Sequence, residues 1–333
     1  AGDIVCVTGV EDLQPSDTIG DVGQSEPLPT LSIDEPTLSI FLGVNQSPFA
    51  GREGKYLTAR HLKERLRTES IRNVALRVEE TDSPDSFKVS GRGELHLTIL
   101  LEQMRREGYE MVVSRPEIVI REVDGERQEP YELLSVDVDP AHQGSVMECL
   151  GERKGLLKDM ELRGDRMLLS FILPTRALMG VQSELLSLTS GTGIINRVFD
   201  HYGPWSGEDV SARDKGVLIA TSNGAATAYA LFALQARGKL LIGPQVETYE
   251  GMIVGIHSRE NDLMVNVQRA KQLTNIRAAG SDENIILSTP QPVTLEYALE
   301  FINDDELVEI TPKNIRLRKK WLKEHERKRN RKS

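Results

Sequence analysis

Along residues 37–122 the spacing of apolar positions switches between two and three-to-four residues, and each switch marks the border of an element. TLSIFLGVN (37–45) has the alternation of a strand. TARHLKERLRTESIR (58–72) sets Leu62 and Leu66 one turn apart behind Thr58, whose hydroxyl is placed to cap a helix. ALRVEET and SFKVSGRG pair as strands across the turn-rich TDSPDS, and GELHLTILLEQMRREG follows as a second helix. Leu97, Leu101 and Met104 share one of its faces, Glu94 stands at its positive end, Arg105 and Arg106 at its negative end, and Gly108 can stop it. The extended YEMVVSRPEIVIRE then closes a β-α-β-β-α-β unit, the ferredoxin-like order.

Residues 129–205 repeat that order. EPYELLSVDVDP reads as a strand, and AHQGSVMECLGERKG as a helix with Val146 and Leu150 inward and Gly155 as its stop. LLKDMELRGDRMLLSFILP folds back around Arg163-Gly164-Asp165, LMGVQSELLSLTSG aligns Leu178, Val181, Leu185 and Leu188, and TGIINRVFDHYGPW returns as a strand. A third region follows the breaker-rich GPWSGEDVSARDKG: GVLIATS, ETYEGMIVGIHS and LMVNV read as strands and ATAYALFALQARG as a helix. Thr294 caps LEYALEFIND, and Thr311-Pro312 is expected to start a basic terminal helix with Ile315, Trp321 and Leu322 on its apolar edge. The expected fold class is α+β: two tandem ferredoxin-like units, 36–123 and 128–207, and a mixed α/β region, 208–333.

Charge sharpens this picture. The chain carries a net −10, yet Lys313 to Ser333 holds eleven Lys/Arg and two Glu, a net +9, which leaves −19 on residues 1–312. An acidic body with a basic end suits a polyanionic partner. At 39% hydrophobic and 28% charged residues the composition is that of a water-soluble globular chain, and no stretch is long enough to span a bilayer. Cys6 and Cys149 stand singly in apolar surroundings, which argues for core positions in a reducing cytoplasm and against zinc or a disulfide framework. The start, AGDIVCVTGV, reads as the middle of a strand, so something is expected to precede it.

Candidate chemistry is sparse. FAGREGKYLT (49–58) has two glycines and a lysine, but Tyr56 stands where a phosphate-binding loop needs Ser or Thr and Phe49 where it needs Gly. Arg237-Gly238-Lys239-Leu240 fails the same test. His96 and His257 lack a nucleophile and an acid at recognisable spacing. Glu132, Asp137 and Asp139 are expected to form an exposed acidic face rather than a metal site, so no catalytic residue, metal or cofactor is assigned. Between Leu263 and Ser281 the basic residues Arg269, Lys271 and Arg277 occur without any acid, and with Asn275 they suit an RNA backbone and its bases. Arg318, Lys319 and Lys320 of the terminal helix and Arg259 complete the candidate RNA contacts.

SGRGELHL (90–97), a glycine turn entering a helix, resembles the third domain of translational GTPases such as elongation factor G. AGDIVCVTGVEDLQPSDTI resembles closing strands of their β-barrel second domain, giving residues 1–35 as a barrel remnant, and EPYELLSVDVDPAHQGSVMECLGERKG resembles the start of their fifth domain. SPFAGREGKYLT, YEGMIVGIHSRENDLMVNVQRAKQLTNIRAAGSDE and DELVEITPKNIRLRKK narrow the resemblance to the BipA (TypA) family and make residues 208–333 its family-specific domain. No phosphate loop, D-x-x-G switch or N-K-x-D segment occurs, so the chain is expected to be the C-terminal part, with GTP and magnesium belonging to a domain outside it. The resemblance implies a monomeric, bacterial, cytoplasmic ribosome-binding module. Its last domain would reach large-subunit RNA near the acceptor end of an A-site tRNA, in stress response and large-subunit assembly. Two other readings stand beside it: an RNA-processing enzyme using the 257–260 loop, and a protein-interaction scaffold that binds no nucleic acid.

Overall fold

Alternating burial along Leu38–Val44, with Leu38, Ile40 and Leu42 facing inward, makes this strand (β1) the centre of the first sheet in a computed structural model of the chain. The structure describes residues 2–10, 13, 17–23, 26–29, 36–205, 207, 213, 215–270 and 286–330. After β1 come α1 (Ala59–Arg72), β2 (Arg77–Glu80), β3 (Ser86–Gly91), α2 (Glu94–Glu107) and β4 (Met111–Val113). The strands lie in the order β4-β1-β3-β2, the antiparallel ferredoxin-like arrangement. Thr58 caps α1, its hydroxyl accepting from His61 N at 3.4 Å, while Gly108 ends α2 in the left-handed conformation that a side chain would strain. Leu62 and Leu66 of α1 and Leu97, Leu101 and Met104 of α2 cover one face of this sheet.

Two short strands, β5 (Glu117–Ile118) and β6 (Arg121–Val123), lead to the second unit: β7 (Glu126–Val138), α3 (Gln143–Glu152), β8 (Leu156–Arg163), β9 (Arg166–Pro174), α4 (Val181–Leu188) and β10 (Ile194–Pro204). Its order, β10-β7-β9-β8, reproduces that of the first unit in a separate sheet with its own core, formed by Leu134, Val136, Val146, Leu150, Leu169 and Leu185 among others. The two expected sheets are therefore distinct. The last region supplies β11 (Val217–Ala220), β12 (Gly224–Ala225), α5 (Ala228–Gln235), β13 (Gly238–Leu240), β14 (Glu247–Thr248), β15 (Ile253–His257), β16 (Leu263–Val265), α6 (Leu295–Phe301), β17 (Glu306–Ile310), β18 (Ile315–Lys319) and α7 (Glu324–Asn330). Its own sheet runs β13-β15-β11-β16.

The terminal helix expected from Thr311-Pro312 does not begin there. Thr311 N donates to Asn314 O at 2.9 Å, closing a hairpin, and β18 pairs antiparallel with β17. Two-residue alternation of Ile315 and Leu317 satisfies this pairing, and β17 in turn pairs with β4 of the first unit. Helix appears only at Glu324–Asn330. The first sheet is consequently extended by β17 and β18, and one core runs from Leu62 and Met104 into Ile253, Leu299 and Val308. Before Leu38 the described residues contain no strand, they form no closed barrel, and 1, 11–12, 14–16, 24–25 and 30–35 of the expected barrel remnant lie outside the described residues. Cys6 is exposed rather than in a core, whereas burial of Cys149 pushes its thiol up to about 11.

The three regions meet at Glu94, the first residue of α2. Arg197 Nη2 of β10 lies 3.8 Å from its carboxylate. Burial, then Glu300 and Glu296 of α6 and Glu132 of β7, push Glu94 from an ordinary 4.5 up to about 7 against the pull of Arg197. A carboxyl with a raised folded-state value stabilises the fold while protonated, so its contribution is complete below about pH 4.5 and lost as pH rises through about 7. The chain should lose roughly 3 kcal/mol of stability from this group between those values, and Glu94→Gln should remove that slope. Urea unfolding of both proteins from about pH 4.5 to about pH 7.5 measures it, and equal slopes would contradict the assignment.

Candidate nucleic-acid interface

Three strand ends converge at one edge of the last sheet. Register places Gly238 opposite His257 and Lys239 opposite Ile256. Ser258 N donates to Arg237 O at 2.9 Å, Gly216 N to Arg259 O at 2.9 Å, and His257 N to Gly216 O at 2.9 Å. These bonds bring Lys215, Arg237 and Arg259 to the same edge, with Lys239 two residues along from Arg237 on β13, and all four are exposed. None has an ion pair among the described residues, and Glu260 is the exposed acid in their turn. The result is local positive charge on a chain whose net charge is −10.

Two glycines allow the convergence. A Cβ on Gly238 would lie 1.8 Å from Ile256 O, and one on Gly216 would lie 2.2 Å from Asn261 O. His257 is buried at 6% exposure, and its Nδ1 lies 2.6 Å from Asn261 O, so it donates there and closes the turn. That bond holds the buried ring against the turn and so helps fix the 257–260 loop at the sheet edge.

The sequence candidates separate. Arg259 and Arg269 are exposed, and Arg269 is held through its backbone, whose carbonyl accepts from Thr227 Oγ1 at 2.7 Å beside the cap of α5. Lys271, Asn275 and Arg277 lie outside the described residues. Lys320 is exposed, its ammonium 5.5 Å from the Trp321 ring. Arg318 and Lys319, by contrast, are buried, because they stand on β18 rather than on an exposed helix. Lys319 Nζ sits 2.8 Å from Asp262, 2.9 Å from Asp305 and 2.9 Å from Glu306. Burial alone would lower it, but Glu306, Asp262 and Asp305 hold its ammonium above the ordinary lysine range. Burial lowers Arg318. These two charges are spent inside the fold.

Sequence reasoning does not single out Lys215, Arg237 and Lys239. They are far apart in sequence or belong to the failed phosphate motif, and strand pairing alone assembles them. The acidic face expected from Glu132, Asp137 and Asp139 also does not form: Glu132 is buried on the core side, Asp137 pairs with Arg166, and Asp139 caps a turn by accepting from Ala141 N at 2.8 Å. Among the described residues no group of three or more His, Cys, Asp or Glu could hold a metal ion, and no helix is long and apolar enough to cross a membrane.

Residues 215–324 match the family described as TypA/BipA C-terminal domain, and residues 126–213 match elongation factor G C-terminus. Over 330 residues, 99% of this chain, the sequence is 56% identical to the large ribosomal subunit assembly factor BipA of Haemophilus influenzae. The protein of the same description from Escherichia coli K12 is 55% identical over the same share. The chain spans about half the length of these relatives, 54% of each. A solved chain from Thermus thermophilus covers 57% of this one, and is itself covered over 44%, at 15% identity and a TM-score of 0.32, too low to establish a shared fold.

Replacing Lys319 by Met should destabilise the chain by about 3–5 kcal/mol at neutral pH, since Asp262, Asp305 and Glu306 would lose the ammonium they share, with Arg213 left to pair Glu306. Chemical denaturation of K319M measures this, and a loss below about 1 kcal/mol would show that the cluster is not paired as described.

Proposed function

We propose that this chain, whose residues 215–324 match the TypA/BipA C-terminal domain, is a ribosome-associated module that binds RNA through the edge formed by Lys215, Arg237, Lys239 and Arg259. The observation that carries this reading is the convergence of four exposed cations on an acidic chain. Arginine and lysine at strand ends neutralise phosphates without reading sequence, which positions a protein on a folded RNA. Arg269 and Lys320 extend the reading, and Lys271, Asn275 and Arg277 join it on their residue types alone. The relatives are described as large ribosomal subunit assembly factors, which supports large-subunit RNA as the partner. Contact near the acceptor end of an A-site tRNA, action as a monomer in the cytoplasm and a role under stress belong to the same proposal. Nucleotide hydrolysis is not assigned to these residues, and no cofactor is.

Binding of the chain to purified large subunits, followed by co-sedimentation across a salt series, tests the reading. Arg237→Gln/Arg259→Gln should weaken binding and reduce the log–log salt slope by about 1.4–1.8, from about 0.7–0.9 per lost phosphate contact. Unchanged affinity and slope would remove this edge from the interface.

A further inference from the structure

The loop from Gly51 to Lys55, which fails as a nucleotide site by sequence, is nonetheless an anion nest with its seat filled from within. Glu110, fully buried, accepts from Gly51 N at 2.7 Å, Glu53 N at 2.9 Å and Gly54 N at 2.5 Å. A Cβ on Gly54 would lie 2.3 Å from Glu110 Cγ, so the loop and this carboxylate fit only as built. Glu53 is likewise turned inward, accepting from Thr311 Oγ1 at 2.5 Å, Asn314 Nδ2 at 2.8 Å and Arg316 Nη2 at 2.5 Å.

Both acids of the loop environment are thus consumed inside the molecule, while its cations point out. Arg52 and Lys55 are exposed, Arg52 lying 4.2 Å over the Phe49 ring and Lys55 5.3 Å from the Tyr56 ring. Exposed Arg60 follows in the first turn of α1, which contains no acid, although a helix start ordinarily favours one. None of the three has an ion pair among the described residues. The backbone behind them is fixed: Lys55 N donates to Gly108 O at 2.8 Å, and Tyr56 stacks on Tyr109 at 4.6 Å.

We propose that this loop is a second RNA-contacting surface, in which Arg52 and Lys55, with Arg60 behind them, take phosphates of a nucleic-acid backbone. It rests on the reading of the chain as a ribosome-associated RNA binder, and it adds a contact on the first unit to the one on the last sheet. Charge sorting is the argument. A loop that turned Glu53 outward would present a near-neutral surface, and this one presents cations alone on a rigid support.

The test is salt-dependent binding of the chain to ribosomal RNA freed of protein, and to whole ribosomes. Arg52→Gln/Lys55→Gln should lower the log–log slope on free RNA by about 1.4–1.8, whereas Arg52→Lys/Lys55→Arg, which keeps both charges, should leave it unchanged. Both side chains are exposed, so thermal unfolding should match the parent. An unchanged slope for the neutral pair, with the Arg237→Gln/Arg259→Gln pair still effective, overturns this surface and leaves the proposed function standing. An effect on ribosomes but not on free RNA overturns it in favour of an acidic protein partner. If neither pair alters binding, or the parent does not bind, both readings fall.

Discussion

Two inward-turned carboxylates shared by one guanidinium join the first unit to the last region. Arg316 reaches Glu53 of the first unit at 2.5 Å and Glu309 of β17 at 3.0 Å. Tyr249 donates its hydroxyl to Glu309, and Asn45 adds a bond at 3.3 Å, so both oxygens of this fully buried acid are satisfied. Burial alone would raise Glu53, yet the bonds from Thr311 and Arg316 hold it below the usual carboxylate range. Burial and Glu309 together push Tyr249 well above the usual tyrosine range, so it remains a donor. Removing one partner from such a cluster leaves an uncompensated charge, and its members therefore form together or not at all. They come from both the first unit and the last region.

The positions of the two cationic surfaces follow from that junction. Phe49, next to the nest loop, lies in the core of the last region and meets Tyr249 edge to face at 5.0 Å. The loop carrying Arg52 and Lys55 is thus tied to the same body as the sheet carrying Arg237 and Arg259. Two groups of cations on one body can take phosphates with less ordering cost than two on a hinged pair. The second unit has a separate core and sheet, and among the described residues its links to this body include Arg197 to Glu94, Tyr202 to Pro36 O at 3.3 Å and Met179, which packs against the first core.

Local periodicity made much of the fold legible. Thr58, Gly108 and Thr294 act as the caps and stop that their chemistry implies, and the inward faces of α1 and α2 carry the residues their spacing selects. Thr311-Pro312 misled because the same hydroxyl that starts a helix also closes a hairpin, and the choice was made by β4, far away in sequence, whose free edge accepts β17. Burial of Arg318 and Lys319 follows from that one difference. The candidate interface was less legible still. Arg237 and Lys239 gain their meaning from Arg259 and Lys215 beside them, and composition cannot show that Glu53 faces inward between Arg52 and Lys55.

The central claim, that the first unit and the last region form one cooperative body through Arg316, is open to direct measurement by native-state hydrogen exchange of Arg316→Ala. Amides of β4, paired with β17, and of β15, in the last sheet, are the reporters. The account predicts that the substitution lowers protection in both strands by the same amount while β7–β9 of the second unit keeps its own. Loss confined to β15 with β4 unchanged would contradict it and show two bodies that merely touch.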